Sequence, residues 1–315
     1  MIRTVLGDIA PAALGRVNYH EHLFQVSPLL AGDELDDEAR SGEEAAALRA
    51  SGFEAMVDAT PLGLGRNPAG IARISAASAL HIVATTGRHR EEHYAADDPL
   101  RSWTLDQLTR ELIADVTDGM RQSESVSSSR DLARTPAGTP VRAGMLKGGI
   151  GYWRISPFER ITLVAVAAAH RETNAPVMVH LEFCTAAHEV LTLLESEGVA
   201  PHRVVLAHAD RDPDPVLHVE LAARGAYLGY DGCARPRTRS DAELAQLTAT
   251  VVAHGGGERI VLGGDVARRS RYVAYGGMPG LAYLGERYIP RLRREVDDEA
   301  IERMLVSNPA RLLTM

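Results

Sequence analysis

Arg16-Val17-Asn18-Tyr19-His20-Glu21-His22-Leu23 is the stretch on which the reading of this chain turns. Two histidines stand one residue apart after a short apolar run. In a β-strand, residues i and i+2 share a face, so His20 and His22 can bring both imidazoles to one point in space. Two solvated loop histidines would have the same spacing, so the meaning of the pair depends on what the rest of the chain supplies.

Working outward, seven more short runs rich in β-branched residues follow: Glu54–Thr60, His81–Gly87, Val141–Lys147, Pro176–Leu181, Arg203–His208, Ala226–Asp231 and Arg259–Asp265, after a first strand over Arg16–His22. Helical patterns separate them. Eight strands alternating with helices predict a (β/α)₈ TIM barrel, and 315 residues suit one such domain spanning 1–315. Capping boxes mark helix starts at Ser156-Pro157-Phe158-Glu159 and Ser240-Asp241-Ala242-Glu243. Gly198 is placed to end a helix over Ala186–Glu197, and Asn308-Pro309 to open a last one through Leu313. Residues 122–140 are polar, with a Ser-rich then Thr/Pro-rich composition. They read as a tolerated, mobile insertion on the face away from chemistry. Arg268–Gly285, glycine-rich and following the eighth strand, reads as a lid or substrate loop.

Composition narrows the classes. An apolar share of 45% and a charged share of 24% are those of a globular protein. A formal net charge of −8 argues against a nucleic-acid binder, because phosphate neutralisation needs a basic excess. Cys184 and Cys233 are too few for a disulfide framework and read as small apolar fillers in a reducing compartment. The sequence shows neither a signal-peptide core nor a membrane-spanning window, so a cytoplasmic protein with no membrane partner is expected.

Polar residues at the C-terminal ends of barrel strands converge on one pocket. The strand ends supply His20 and His22, Lys147, His180, His208 and Asp265. Four histidines and a carboxylate form a ligand set for zinc, cobalt, manganese or iron. Lys147 looks out of place there, and alone it reads as an ion-pairing or phosphate-binding lysine. Burial beside positive charge favours the neutral amine, which can add carbon dioxide and become a carbamate able to bridge two metals.

With these motifs in order, the chain resembles the phosphotriesterase family of the amidohydrolase superfamily. Its nearest likeness is to the branch of phosphotriesterase-like lactonases and phosphotriesterase homology proteins. The resemblance rests on Tyr19-His20-Glu21-His22, Arg142–Lys147, Val179-His180, Ala207-His208-Ala209-Asp210, Gly264-Asp265 and Ser307-Asn308-Pro309-Ala310-Arg311. It implies a binuclear centre in which His20, His22 and Asp265 hold one divalent ion and His180 and His208 the other. A carboxylated Lys147 and a hydroxide bridge the two, with zinc the first expectation. It further implies hydrolysis by that hydroxide, with Asp265 as proton acceptor, and a homodimer as one option. The chain departs from the organophosphate-hydrolysing pattern in having Gly232 after Asp231 and Arg211 after Asp210.

The reading is a lactonase or carboxylic ester hydrolase acting on a small, anionic, sugar-like lactone. The alternatives are an arylesterase or weak phosphotriesterase with the same site, and a non-catalytic metal- or partner-binding barrel. Substrate-binding candidates are Arg88, Trp153, Tyr230, Arg235, Arg268, Arg269 and Tyr272, the arginines as forks for an anion. Arg237 and Arg271 read as surface charge. Asp231 and Asp210 are candidates for orienting ligand histidines, while Glu21 faces away from the site by alternation. His89 is the one further histidine expected near the pocket; the others, His93 and His218 among them, read as packing or surface residues.

Overall fold

The computed structural model describes residues 1–123 and 130–315. A short antiparallel hairpin, β1 (Ile2–Thr4) and β2 (Gly7–Ile9), precedes eight parallel strands. These are β3 (Val17–Glu21), β4 (Ala55–Asp58), β5 (His81–Gly87), β6 (Met145–Ile150), β7 (Val177–Leu181), β8 (Val204–Ala207), β9 (Tyr227–Tyr230) and β10 (Ile260–Leu262). They pair in chain order. Asp265 N donates to His20 O at 2.9 Å, which ties the end of the last strand back to the first and brings the sheet round into a barrel. The helices are α1 (Glu38–Ala50), α2 (Pro68–Ser78), α3 (Leu105–Thr117), α4 (Pro157–Thr173), α5 (Ala187–Ser196), α6 (Pro215–Ala223) and α7 (Asp241–Ala253). Three short ones close the chain, α8 (Ile289–Leu292), α9 (Asp298–Glu302) and α10 (Asn308–Leu313). Among the described residues no helix is long and apolar enough to cross a membrane.

Two apolar layers hold the barrel. Inside it, Val17, Tyr19, Val57, Val83, Met145, Met178, Val205, Tyr227 and Val261 fill the lumen. Ile2, Leu14, Leu312 and Leu313 plug its N-terminal end. The opposite strand faces pack against the helices, for example Ile82, Val179, Leu206 and Leu228 against Leu112, Leu163 and Leu221. Alternation along each strand, with period two, makes both layers from one sequence.

The capping boxes form as expected. Ser156 and Glu159 exchange hydrogen bonds at the start of α4, as do Ser240 and Glu243 at α7. Asn308 departs from its expected role. It has helical dihedrals and is not the cap; its Nδ2 donates to Gly257 O and Ile260 O, pinning α10 to the base of β10. The fourth barrel strand lies further along than the sequence pattern placed it. Gly148, Gly149 and Ile150 pair with Val179, His180 and Leu181, while Val141 and Ala143 bond to Ala133 and Asp115 instead. Lys147 therefore sits inside β6.

Within the expected insertion, 124–129 lie outside the described residues. The flanking part is tied down: Ala133 N donates to Met120 O and Arg130 pairs with Glu111 and Asp115.

One irregularity serves the site. β3 pairs with β4 through Asn18↔Met56 and then Glu21↔Asp58, so β3 carries an extra residue between the two contacts. Strict alternation would send Tyr19 and His20 to opposite faces. The bulge turns both into the barrel. Glu21 then points outward, where it accepts from Asn18 Nδ2 at 2.9 Å and Val266 N at 2.8 Å, and burial pushes it up to about 8.

Tyr19 fits only because position 229 in the facing strand β9 is glycine: a Cβ there would overlap its hydroxyl. Gly229→Ala is expected to lower the unfolding free energy by about 1–3 kcal/mol, the usual cost of overpacking, seen as a lower urea midpoint. An unchanged midpoint would show that Tyr19 is free to move.

Candidate metal centre

The six candidate ligands enter from five strands. His20 is in β3 and His22 just past it; Lys147 is in β6, His180 in β7, His208 directly after β8 and Asp265 after β10. His208 and Asp265 have φ of 64° and 43°, left-handed values that non-glycine residues rarely take, and each costs on the order of 1–3 kcal/mol. The structure brings all of these together except that Lys147 lies deeper.

Hydrogen bonds fix where each imidazole carries its proton. Asp231, immediately after β9, has no exposed surface. Burial pushes its pKa up, but His208 and His20 outweigh that and hold it well below the usual carboxylate range. It is therefore an acceptor only. His20 Nδ1 donates to Asp231 Oδ2 at 3.0 Å and His208 Nδ1 to Asp231 Oδ1 at 2.6 Å. His22 Nδ1 lies 2.8 Å from Thr60 Oγ1, whose own proton goes to Phe24 O at 2.7 Å, so Nδ1 again donates. His180 Nε2 lies 3.1 Å from a Glu182 carboxylate oxygen and donates to it. A neutral imidazole has one N–H. Each of the four thus turns a lone pair inward.

Those lone pairs meet one another with no proton between them. His180 Nδ1 and His208 Nε2 face each other at 2.8 Å. His20 Nε2 and His22 Nε2 lie 3.7 and 3.8 Å from Asp265 Oδ1, and the three donor atoms fall within 4.8 Å of one another. Ligands about 2.1 Å from a tetrahedral cation stand roughly 3.4 Å apart. The donor set fits one cation at His20, His22 and Asp265 and a second between His180 and His208. Burial favours the uncharged form that ligation requires at three of them: His22 and His180 are pushed well below the ordinary value and His208 down to about 4. The grouping of His20 and His208 with Asp231 is different in kind, because Asp231 holds their outer nitrogens.

Lys147 is fully buried, with Nζ donating to Ala59 O at 2.6 Å. Loss of solvation pushes its amine down to about 8, against the pull of Asp265, Asp58 and Asp231.

Above these residues opens a cavity of about 950 Å³. Arg235 and Arg268 line it as expected, and Arg235 Nη2 bonds Asp265 Oδ2 at 2.6 Å. Five substrate-binding expectations are corrected. Arg88 is buried behind the wall, bonded to Thr162 Oγ1 and Leu100 O and stacked on Phe158. Tyr230 turns to the helix layer, 2.5 Å from His218 Nδ1. The Tyr272 hydroxyl is spent on His22 O. Arg269 lies over Tyr275 rather than in the cavity, and Trp153, 65% exposed, packs edge-on to Tyr152 outside it. Conversely, Arg237 and Arg271, read as surface charge, line the cavity, and so does His93 beside His89.

Asp210 is corrected too. It touches no ligand histidine but accepts from Gly232 N at 2.7 Å, and burial followed by Asp231 pushes it up to about 7. A Cβ at 232 would stand 2.8 Å from that carboxylate, which is why glycine occupies the position.

Arg90, Glu182 and Arg211 line the cavity and were not among the site candidates read from the sequence. Glu182 had a signal: it stands two residues after His180, the same spacing as His20 and His22.

A parallel barrel whose strand ends aim imidazole lone pairs and a carboxylate at one place defines a metal-dependent hydrolase. The profile of the phosphotriesterase family matches residues 1–313, and the chain belongs to that family, whose centre is binuclear. A phospho-furanose lactonase of Mycoplasmopsis agalactiae is 29% identical over 329 residues, covering 99% of this chain and 91% of its own. An N-acetyltaurine hydrolase of Danio rerio is 26% identical over 361 residues, covering 99% and 97%. The crystal structure of a lactonase from Listeria monocytogenes matches with a TM-score of 0.88 at 30% identity, over 99% of this chain and 98% of that one.

The Tyr230–His218 contact makes a pH prediction. Burial pushes His218 down to about 4, against about 6.5 unfolded. As pH falls the unfolded chain takes this proton first, so the stability present above about 6.5 drains away down to about 4. The slope is up to about 1.4 kcal/mol per pH unit, or about 3 kcal/mol in all. His218→Leu lacks this term. Urea unfolding should show the parent losing about 3 kcal/mol more than the variant between pH 7 and 4; parallel pH profiles would refute the assignment.

Proposed function

We propose that this chain hydrolyses a small anionic lactone, using two divalent ions held by His20, His22, Asp265, His180 and His208 with Lys147 between them as a carbamate. The observation that carries the reading is the composition of one cavity. Inward lone pairs and Asp265 form its floor, and Arg90, Arg211, Arg235, Arg237, Arg268 and Arg271 stand along its walls; among the described residues the carboxylates against them are Glu182 and Asp265. Guanidinium forks bind carboxylate and phosphate through paired N–H groups. Two relatives named above act on anions by their names, a phosphorylated furanose lactone and a taurine amide.

When bound, the ions polarise the scissile carbonyl and acidify water. The chain's own residues do the rest. Burial works against ionisation of Asp265, but Arg235, His20 and His208 outweigh it and hold the carboxylate well below its usual range. It is therefore ionised, the form in which a carboxylate can accept a proton from the attacking water, while Arg211 and Arg235 fix its Oδ2 in place. The Lys147 amine, brought to about 8, has a neutral fraction near pH 7 that can add to carbon dioxide, losing a proton as the carbamate forms. We assign zinc as the ion, the cytoplasm as the compartment and 1–315 as one domain on the same footing, with a homodimer as one option for the assembly.

A pH-indicator assay over a lactone panel, run beside an aryl ester and an aryl phosphotriester, tests the reading. Turnover should be highest for lactones bearing carboxylate or phosphate, should vanish on chelation and should return with zinc. Lys147→Met and Asp265→Asn should each lower kcat about 10²–10³-fold, the equivalent of several kcal/mol. Arg271→Gln should raise KM for an anionic lactone about tenfold or more and leave a neutral one unchanged. Faster turnover of the phosphotriester than of any lactone would replace the lactonase reading. Inertness of the zinc-loaded protein toward all of them would remove it.

A further inference from the structure

The loop after β7 carries an acidic side chain with no place in the reaction described above. Glu182 Oε2 lies 3.1 Å from His180 Nε2 and 3.0 Å from Arg90 Nη1, and Arg90 Nη1 also lies 2.9 Å from Glu92 Oε2. The backbone is bent to make this reach possible. Phe183, Cys184 and Ala186 have φ of 55°, 57° and 54°, three left-handed non-glycine residues within four. At on the order of 1 kcal/mol or more each, such strain persists only where the surroundings hold it. Here Cys184 is buried, and Thr185 Oγ1 donates to Glu182 O at 2.7 Å while accepting Trp153 N at 2.9 Å. The result folds the Glu182 carboxylate back over the histidine two residues before it.

The four inward-facing histidines are not held alike. His20 and His208 share Asp231, which has no exposed side-chain surface, and His22 is held by the buried Thr60. Glu182 lines the cavity with 17% of its side chain exposed. The orientation of His180 is therefore set from the cavity wall, by a carboxylate that an arginine of the neighbouring loop keeps in place.

We propose that Glu182 is a positioning residue for the second metal ion. By accepting the Nε2–H it keeps the Nδ1 lone pair of His180 aimed at His208 and raises its basicity as a ligand. Arg90 holds the carboxylate in that pose. The ion at His180 and His208 is consequently the more easily lost of the two, and its affinity is set by the Arg90–Glu182 pair. This rests on the two-ion reading above.

The test is calorimetric titration of the metal-free protein with zinc, with metal analysis after dialysis and, in parallel, the visible absorption of the cobalt-loaded form. The parent should bind two ions. Glu182→Ala should keep one at parental affinity and bind the second about 10–100-fold more weakly, with the matching loss of part of the cobalt spectrum. Glu182→Gln, whose amide oxygen can still accept from Nε2, should recover most of the loss. Should Glu182→Ala fail to fold, Glu182→Asp, one methylene short, is read in its place with the same expectation. Two ions bound by the alanine variant at parental affinity, or both weakened equally, would overturn the proposal and leave the lactonase reading standing. A parent that binds only one ion would overturn both.

Discussion

The site depends on one buried carboxylate. Asp231 receives hydrogen bonds from the Tyr19 hydroxyl, His20 Nδ1, His208 Nδ1 and His208 N. A carboxylate with no access to water is costly unless its oxygens are met by donors, and here every donor comes from a strand end that must be correctly placed. Removal of any one strand from register leaves the charge undersolvated. The same bonds that make Asp231 tolerable dictate which nitrogen of His20 and His208 is protonated. Folding of the barrel and preparation of the ligand set are thus one event.

That coupling asks two consecutive residues, Tyr19 and His20, to reach the same carboxylate. The extra residue in β3 permits it, and glycine at 229 leaves the room. Barrel closure completes the arrangement, since Asp265 N bonds His20 O and so sets the height of the last ligand against the first. Left-handed His208 and Asp265 then aim their side chains back into the mouth. The local strain is small beside the hundred or so kilocalories of burial that fix a domain's strands, which is why it can be stored there.

The barrel and the six candidate ligands were legible because they rest on local rules: β-branched runs, strand ends, period two. Alternation even placed Glu21 outward, although through a bulge that the sequence did not signal. The substrate readers were not legible in the same way. Arg88 and Arg271 are both arginines one to six residues past a strand or its ligand, yet one is sealed against Phe158 and the other faces the cavity. Loop path decides which, and loop path depends on tertiary contacts such as Leu100 O on Arg88. Tyr230 and Tyr272 failed for a related reason. A tyrosine near a pocket is read as a wall, but each hydroxyl had a buried partner that took it elsewhere. Strand limits slid where pairing partners, Ala133 for Val141 and Val179 for Gly148, outcompeted the apolar pattern.

His89 shows what separates a ligand histidine from a bystander in the same cavity. Its ring lies 4.4 Å from that of His180 and burial pushes it well below the ordinary value, so by residue type, place and protonation it matches the others. Its hydrogen bond runs the other way. The backbone N–H of Arg90 donates to His89 Nδ1 at 2.8 Å, which leaves the ring proton on Nε2. The four strand-end histidines donate with their outer nitrogens to Asp231, Thr60 and Glu182 and keep lone pairs free; His89 accepts and presents an N–H instead. A metal ion is drawn to the first kind and repelled by the second. The boundary of the centre is therefore drawn by acceptors and donors outside it, and the identity of the side chain that reaches in is not enough to draw it.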